Sequence, residues 1–161
     1  MTLGKRHDAR EETVLWQRLT TLTNRVNQAL DTQLVKAHEV MMTELFAMLA
    51  LCDGSPMGMR IQELTDRLGM EQSSVSRLTT RLQAKGLIER VKCDYDRRGV
   101  YCAITPAGRE LATKAEQTLT KTLTETLDVA AFDEHTAAVV ARLRYSGRPA
   151  KQPMAITEES T

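Results

Sequence analysis

Ser73, Ser76, Arg77 and Thr80 are interleaved with Val75, Leu78 and Leu82, which repeat at i, i+3 and i+7. On a helix turning ~100° per residue, the two sets fall on opposite faces. One face must enter a core; the other is small, polar and cationic, and Ala84 continues it. Such a helix fits the major groove of double-stranded DNA, where Ser, Thr, Gln and Arg reach base edges. The expected reading set is Gln72, Ser73, Ser74, Ser76, Arg77, Thr80 and Arg81. An ordinary solvated face would have the same composition, so the neighbouring elements must decide.

Those elements form a compact pattern. A short helix is expected over Ile61–Leu68, with Ile61, Leu64 and Leu68 as its buried stripe, and Gly69 ends it. The second helix runs from Gln72 or Ser73 to about Lys85, where Gly86 stops it. LIERV and VYCAIT are β-prone runs bracketing a loop with Asp94, Asp96, Arg97, Arg98 and Gly99, which is a hairpin signal. A hairpin directly after a recognition helix is a wing. Its Arg97 and Arg98 are placed to meet phosphates or a narrow minor groove. Met57-Gly58-Met59-Arg60 supplies a short third strand.

RLTTRLQAKGLIER followed by CDYDRRGVYCAITPAGRE resembles the winged helix-turn-helix of the MarR family, the multiple-antibiotic-resistance regulators. The resemblance rests on Gly86-Leu87 after the helix, Asp96-Arg97-Arg98 in the wing, and Ile104-Thr105-Pro106-Ala107-Gly108 after it. It implies a homodimer in which the first helix and the last two form the interface. Two readers related by a two-fold axis suit a pseudo-palindromic operator with half-sites about a helical turn apart. It also implies a small-molecule effector, bound between the dimer helices and the reader, with Trp16, His38, Met41, Met42 and Met48 as its candidate contacts. Six of the eight methionines fall between residues 41 and 70, and methionine lines adaptable cavities as readily as it fills an aromatic-poor core.

The rest of the chain is consistent with that layout. Its 161 residues with 42% hydrophobic content hold one domain-sized core, aliphatic because aromatics are only 4%. Net charge is +1, which excludes a general DNA coater. Residues 60–98 carry nine Lys/Arg against six Asp/Glu, a local +3, and the remainder carries thirteen against fifteen, or −2. A confined excess suits a site-specific binder. The expected fold is mainly α with a small β wing: a reader over 41–105 between helical dimerisation regions at 8–37 and 106–146, then a disordered tail at 147–161.

Within the first helix, Leu15, Leu19, Leu22, Val26, Ala29 and Gln33 make a heptad-like stripe, and its spare apolar surface suits a second copy of the chain. A helix over about Met42–Cys52 follows, then a turn at Asp53-Gly54-Ser55-Pro56. Pro106 opens a long helix with Leu111, Ala115, Leu119, Leu123 and Leu127, and Asp133 caps the last helix with Phe132 stapling its start.

Other chemistries are poorly supplied. No nucleophile–base set, HExxH or phosphate loop is written, so no enzyme activity, metal or cofactor is expected. The opening MTLGKRHDAREE has no apolar signal core and no run spans a membrane, so a cytoplasmic location with free thiols is expected. Redox sensing is the rival within regulation. Cys93 lies beside Lys92 near Arg90, Arg97 and Arg98, offset by Asp94 and Asp96, and Cys102 could approach it across the hairpin. The peroxide-sensing branch of the resembled family keeps its cysteine near the start of the first helix, where this chain has none before Cys52. A winged helix used to bind protein is the rival from another class, but it needs an exposed apolar patch that the outer face lacks.

Overall fold

A computed structural model describes residues 8–93 and 96–145, with backbone alone at 92, 93 and 96–98. Its elements are α1 (Ala9–His38), α2 (Met42–Asp53), β1 (Met59–Arg60), α3 (Ile61–Leu68), α4 (Gln72–Ala84), β2 (Ile88–Cys93), β3 (Asp96–Ile104), α5 (Pro106–Ala130) and α6 (Ala137–Tyr145). The fold is mainly helical with a small antiparallel sheet, as the sequence implied. The loose start and the tail at 147–161 lie outside the described residues. No helix among the described residues is long and apolar enough to cross a membrane.

The chain divides into two compact units, residues 24–126 and the two segments 1–23 and 127–161. The first unit holds the reader. Its core gathers Leu30 and Leu34 of α1, Leu45, Met48 and Leu51 of α2, Leu64, Val75, Leu78 and Leu82 of α3 and α4, Ile88 and Cys102 of the sheet, and Ala112 and Ala115 of α5. Leu64 is fully buried, whereas Ile61 and Leu68 are only partly covered, and Thr65 joins Leu64 inside with its hydroxyl on the Ile61 carbonyl.

Both helices of the reader end in the same local device. Gly69 (φ 60°) and Gly86 (φ 72°) take the left-handed conformation, which costs a residue without Cβ nothing. Gly86 N–H donates to the Gln83 carbonyl and Leu87 N–H to the Leu82 carbonyl, the paired bonds of a Schellman end, with Leu82 and Leu87 buried together. Residues 65–70 repeat the pattern.

The sheet order is β1-β3-β2, all antiparallel. Met59 pairs with Cys102 and Arg60 with Tyr101, so the third strand exists but is only two residues long. Ile88 opposes Ile104 and Val91 opposes Tyr101, and the register then shifts before Cys93 opposes Asp96. Thr105 joins the wing to α5. Its N–H donates to the Leu87 carbonyl, its hydroxyl donates to the Gly86 carbonyl at 2.8 Å, and its oxygen accepts the Gly108 N–H at 3.0 Å. That is an N-cap at the residue before Pro106.

The second unit buries Leu22, Leu127, Ala130, Thr136, Val139 and Val140. The buried Thr136 hydroxyl donates to the Ala130 carbonyl at 2.7 Å, tying α6 back to α5, and Arg144 pairs with Asp128. The expected staple by Phe132 does not form, since that ring is 93% exposed. Asp133 builds a turn first, accepting the His135, Thr136 and Ala137 amides, so α6 starts only at Ala137 and Phe132 is too far upstream to pack on its first turn.

Candidate nucleic-acid interface

Helix α4 divides as its sequence demands. Val75, Leu78, Thr79 and Leu82 are buried, while Gln72, Ser73, Ser76, Arg77, Thr80 and Arg81 are exposed and Ser74 is half-buried. Thr79 was not expected inside; its hydroxyl is satisfied by the Ser76 carbonyl at 3.0 Å. Thr80 also donates to Ser76, at 2.9 Å, so its proton is spent and only its oxygen stays open to a partner. Among the described residues, Arg77 has no hydrogen bond or ion pair to hold it, and it shares the outward face with Ser73 and Ser76.

The two flanks of the helix differ. One faces the wing, where Arg60, Ile61, Gln62, Gln72, Ser76, Arg90, Gly99 and Val100 line a cleft of about 350 Å³. Arg60 is oriented over the Tyr101 ring at 5.8 Å, with Nε donating to its hydroxyl at 3.2 Å, a cation–π and hydrogen-bonded arrangement. Arg90 reaches toward Thr80 Oγ1 at 3.5 Å. Neither Arg60 nor Arg90 was picked out as a reader residue from the sequence. Both sit on β-strands, and only the sheet register brings them beside α4. The other flank faces α2, and there Arg81 Nε donates to Glu44 Oε1 at 3.1 Å. Arg81, expected among the base readers, thus already has a carboxylate partner.

The wing arginines Arg97 and Arg98 lie on β3, but their side chains are outside the described residues, as are the side chain of Cys93 and residues 94 and 95. The register corrects the expected approach of Cys93 to Cys102. Cys102 opposes Arg90, and Cys93 opposes Asp96. Three residues along a strand is roughly 10 Å, beyond the ~7 Å Cα separation a disulfide can bridge. Cys102 is also fully buried, and burial pushes its thiol up against the weaker pull of Arg90, so it is held as the unreactive form. Burial likewise raises the Cys52 thiol.

The expected effector residues differ in burial and in what they touch. Met48 is fully buried core, Met41 is exposed at the start of α2, and Met42 is half-buried with its amide on Asp31 Oδ1 at 2.7 Å. His38 is half-buried with Nε2 at 2.8 Å from Thr118 Oγ1. Trp16 is 68% exposed and belongs to the second unit. Methionine clustering does not separate filler from lining, and here packing claims Met48. Among the described residues, no group of three or more His, Cys, Asp and Glu is placed to hold a metal ion.

Residues 42–99 match the MarR family. The uncharacterised HTH-type transcriptional regulator YhjH of Bacillus subtilis is 26% identical over 82 residues, which cover 51% of this chain and 46% of that protein. The chain therefore spans about half the length of that relative. The structure is similar to the transcriptional regulator BldR from Sulfolobus solfataricus, with a TM-score of 0.71 and 22% identity over 86% of this chain and 95% of that one. It is similar to Sco3205, a MarR family transcriptional regulator from Streptomyces coelicolor in complex with DNA, with a TM-score of 0.70 and 19% identity over 91% and 94% of the two chains. At these identities the structural likeness establishes the fold.

Proposed function

We propose that this chain, whose residues 42–99 match the MarR family, is a DNA-binding transcriptional regulator rather than an enzyme: a homodimeric, sequence-specific repressor that a small aromatic or anionic molecule releases from its operator. The observation that carries the reading is the outward face of α4, where Ser73, Ser76 and Arg77 stand exposed over a fully packed inner face. Gln72 and Ser74 start that helix, and Thr80 adds an acceptor oxygen. In the proposed complex this face lies in the major groove of a pseudo-palindromic duplex, and Arg97 and Arg98 meet phosphate or minor groove from the wing. That Sco3205 is known in complex with DNA supports the same use of the same fold. The dimer would form through the chain ends, where Trp16, Val129, Leu143 and Tyr145 leave apolar surface exposed on one chain. Effector release would act at the α1–α2 junction around His38, Met41 and Met42, in a cytoplasmic protein. A redox switch through Cys102 is disfavoured by its burial.

The experiment is selection of bound duplexes from a random pool, followed by Arg77→Ala and Arg97→Ala on the selected site and its single-base variants at several salt concentrations. Losing a bidentate contact from Arg77 should cost about 1–3 kcal/mol per half-site and relax preference at one base position. Losing Arg97 should weaken all sequences alike and flatten the salt dependence by about one unit per contact. Equal loss on every sequence with Arg77→Ala, or no change with either variant, would remove the assignment of this face as the reader.

A further inference from the structure

Glu44 is the only charged side chain buried among the described residues. It sits at the third position of α2, whose N-cap is Met41, a residue with no side-chain oxygen to offer its helix. The carboxylate turns back to accept the Met41 N–H at 3.1 Å, and Asp31 reaches from α1 to accept the next amide, that of Met42. Its remaining capacity goes to α4: Arg81 Nε at 3.1 Å and Lys85 Nζ at 3.2 Å, while Lys85 also donates to the Glu39 carbonyl at 2.8 Å. Burial by itself would push the Glu44 carboxyl up, but the Met41 amide, Arg81 and Lys85 together hold it below the usual range.

Stability alone is a weak reason for this arrangement. A buried ion pair is often no more stable than apolar residues of similar volume, and Glu44 is surrounded in sequence by Leu45, Ala47 and Met48, all buried. What the carboxylate adds is direction, because charged hydrogen bonds to two donors at the end of α4 fix one helix against another where apolar contacts would let it slide. The lever is long. From Lys85 to Ser73 is about 18 Å of helix at ~1.5 Å per residue, so a pivot of about 5° at the clamped end moves Ser73 by roughly 1.5 Å. Hydrogen bonds to base edges hold only over about 2.7–3.2 Å, so such a shift removes them. Contacts to phosphate from long flexible side chains survive it.

We propose that Glu44 is a positioning residue for DNA reading, a buried clamp on Arg81 and Lys85 that sets the angle at which Ser73, Ser76 and Arg77 meet the bases. The proposal rests on α4 being the reading helix, and it moves Arg81 from the DNA contacts to the clamp.

The test uses the full chain, the duplex it selects from a random pool, and a scrambled duplex of equal length. Glu44→Gln keeps the shape and an acceptor for Met41 but removes the charge. It should lower affinity for the selected duplex by about tenfold while affinity for the scrambled duplex holds, so that discrimination falls by the same factor. Lys85→Met, at a side chain 40% exposed, should act in the same direction by a few-fold with the salt slope unchanged. A purely structural role would reduce the folded fraction and so weaken both duplexes in proportion, which overturns the proposal. Should Glu44→Gln not fold, Lys85→Met decides alone: unchanged discrimination with a salt slope lower by one makes Lys85 a phosphate contact, and the clamp is wrong. A wild-type chain that selects no duplex overturns the reading helix itself; a wild-type chain that selects, with variants that discriminate equally well, overturns only the clamp.

Discussion

The two ends of helix α4 are built on opposite terms. At its N-terminal half, Ser73, Ser76 and Arg77 are exposed, and packing holds only the inner face. At its C-terminal end almost every group is tied. Arg81 and Lys85 are on Glu44, Gly86 closes a Schellman turn, and the carbonyls of Gly86 and Leu87 accept from Thr105. Order in this helix is therefore supplied from behind, leaving the front free to meet a partner without first breaking internal bonds. A helix free at both ends would spend binding energy on ordering, and one tied at both ends would have no donors left.

The largest expected effect comes from loosening the tied end through its neighbour. Gly108 lies in the first turn of α5, and a Cβ there would overlap the Leu87 carbonyl oxygen and crowd Ile104. Gly108→Ala should therefore destabilise the fold by about 3 kcal/mol, since the obstacle is backbone and cannot rotate away. Urea unfolding measures it. On an isolated helix the same change would stabilise by about 1 kcal/mol. A positive shift would thus mean that the joint between Leu87 and α5 yields, and that the end described as fixed is not.

Acid offers a second way in. Glu44 has a folded pKa below its unfolded value near 4.5, so its contribution to stability is complete above that pH and is lost as pH falls through the lower folded value. The charged groups around it are Arg81 and Lys85, with Asp31 and Glu39 on the adjoining segments. Wild type should exceed Glu44→Gln by about 1–3 kcal/mol at neutral pH. The gap should close below pH 4.5. Glu110, held low by Lys114, is common to both proteins and cancels. A gap that is constant with pH would show that charge at Glu44 does nothing for the tied end.

The contrast between the ends also explains what could be read in advance. The inner and outer faces of α4, its glycine stop, the wing and the proline-led start of α5 follow from spacing within a few residues, and sequence shows them directly. Glu44 was invisible because its half of a capping box lacks the usual Ser or Thr partner, Met41 standing there instead, and its cations are 37 and 41 residues away. The carboxylate partner of Arg81 is hidden from sequence for a related reason. A helical wheel puts the arginine on the flank, and only the position of α2 turns that flank inward toward a carboxylate. Arg60 and Arg90 needed the strand register. Met48 and Trp16 are effector candidates by family resemblance alone, which carries no information about whether a given side chain is core or surface.

The smallest effect tests the anchor behind the clamp. Helix α1 ends with Glu39 at φ 58°, the only non-glycine residue with positive φ among those described, and its N–H donates to the Val35 carbonyl at 3.0 Å. This is a left-handed helix end made by a residue with a Cβ, which costs about 1–2 kcal/mol. Glycine would relieve that strain and lose about 0.5–1 kcal/mol to the greater freedom of the unfolded chain. Glu39→Gly should then stabilise by about 0.5 kcal/mol, read as a higher urea midpoint at unchanged slope. The contact that matters to α4 is the Glu39 carbonyl to Lys85, which belongs to the backbone and survives the change. Discrimination between the selected and scrambled duplexes should therefore stay at the wild-type value. Greater stability with poorer discrimination would mean that the strained conformation itself helps hold Lys85, and that the tied end of the helix reaches back as far as the end of α1.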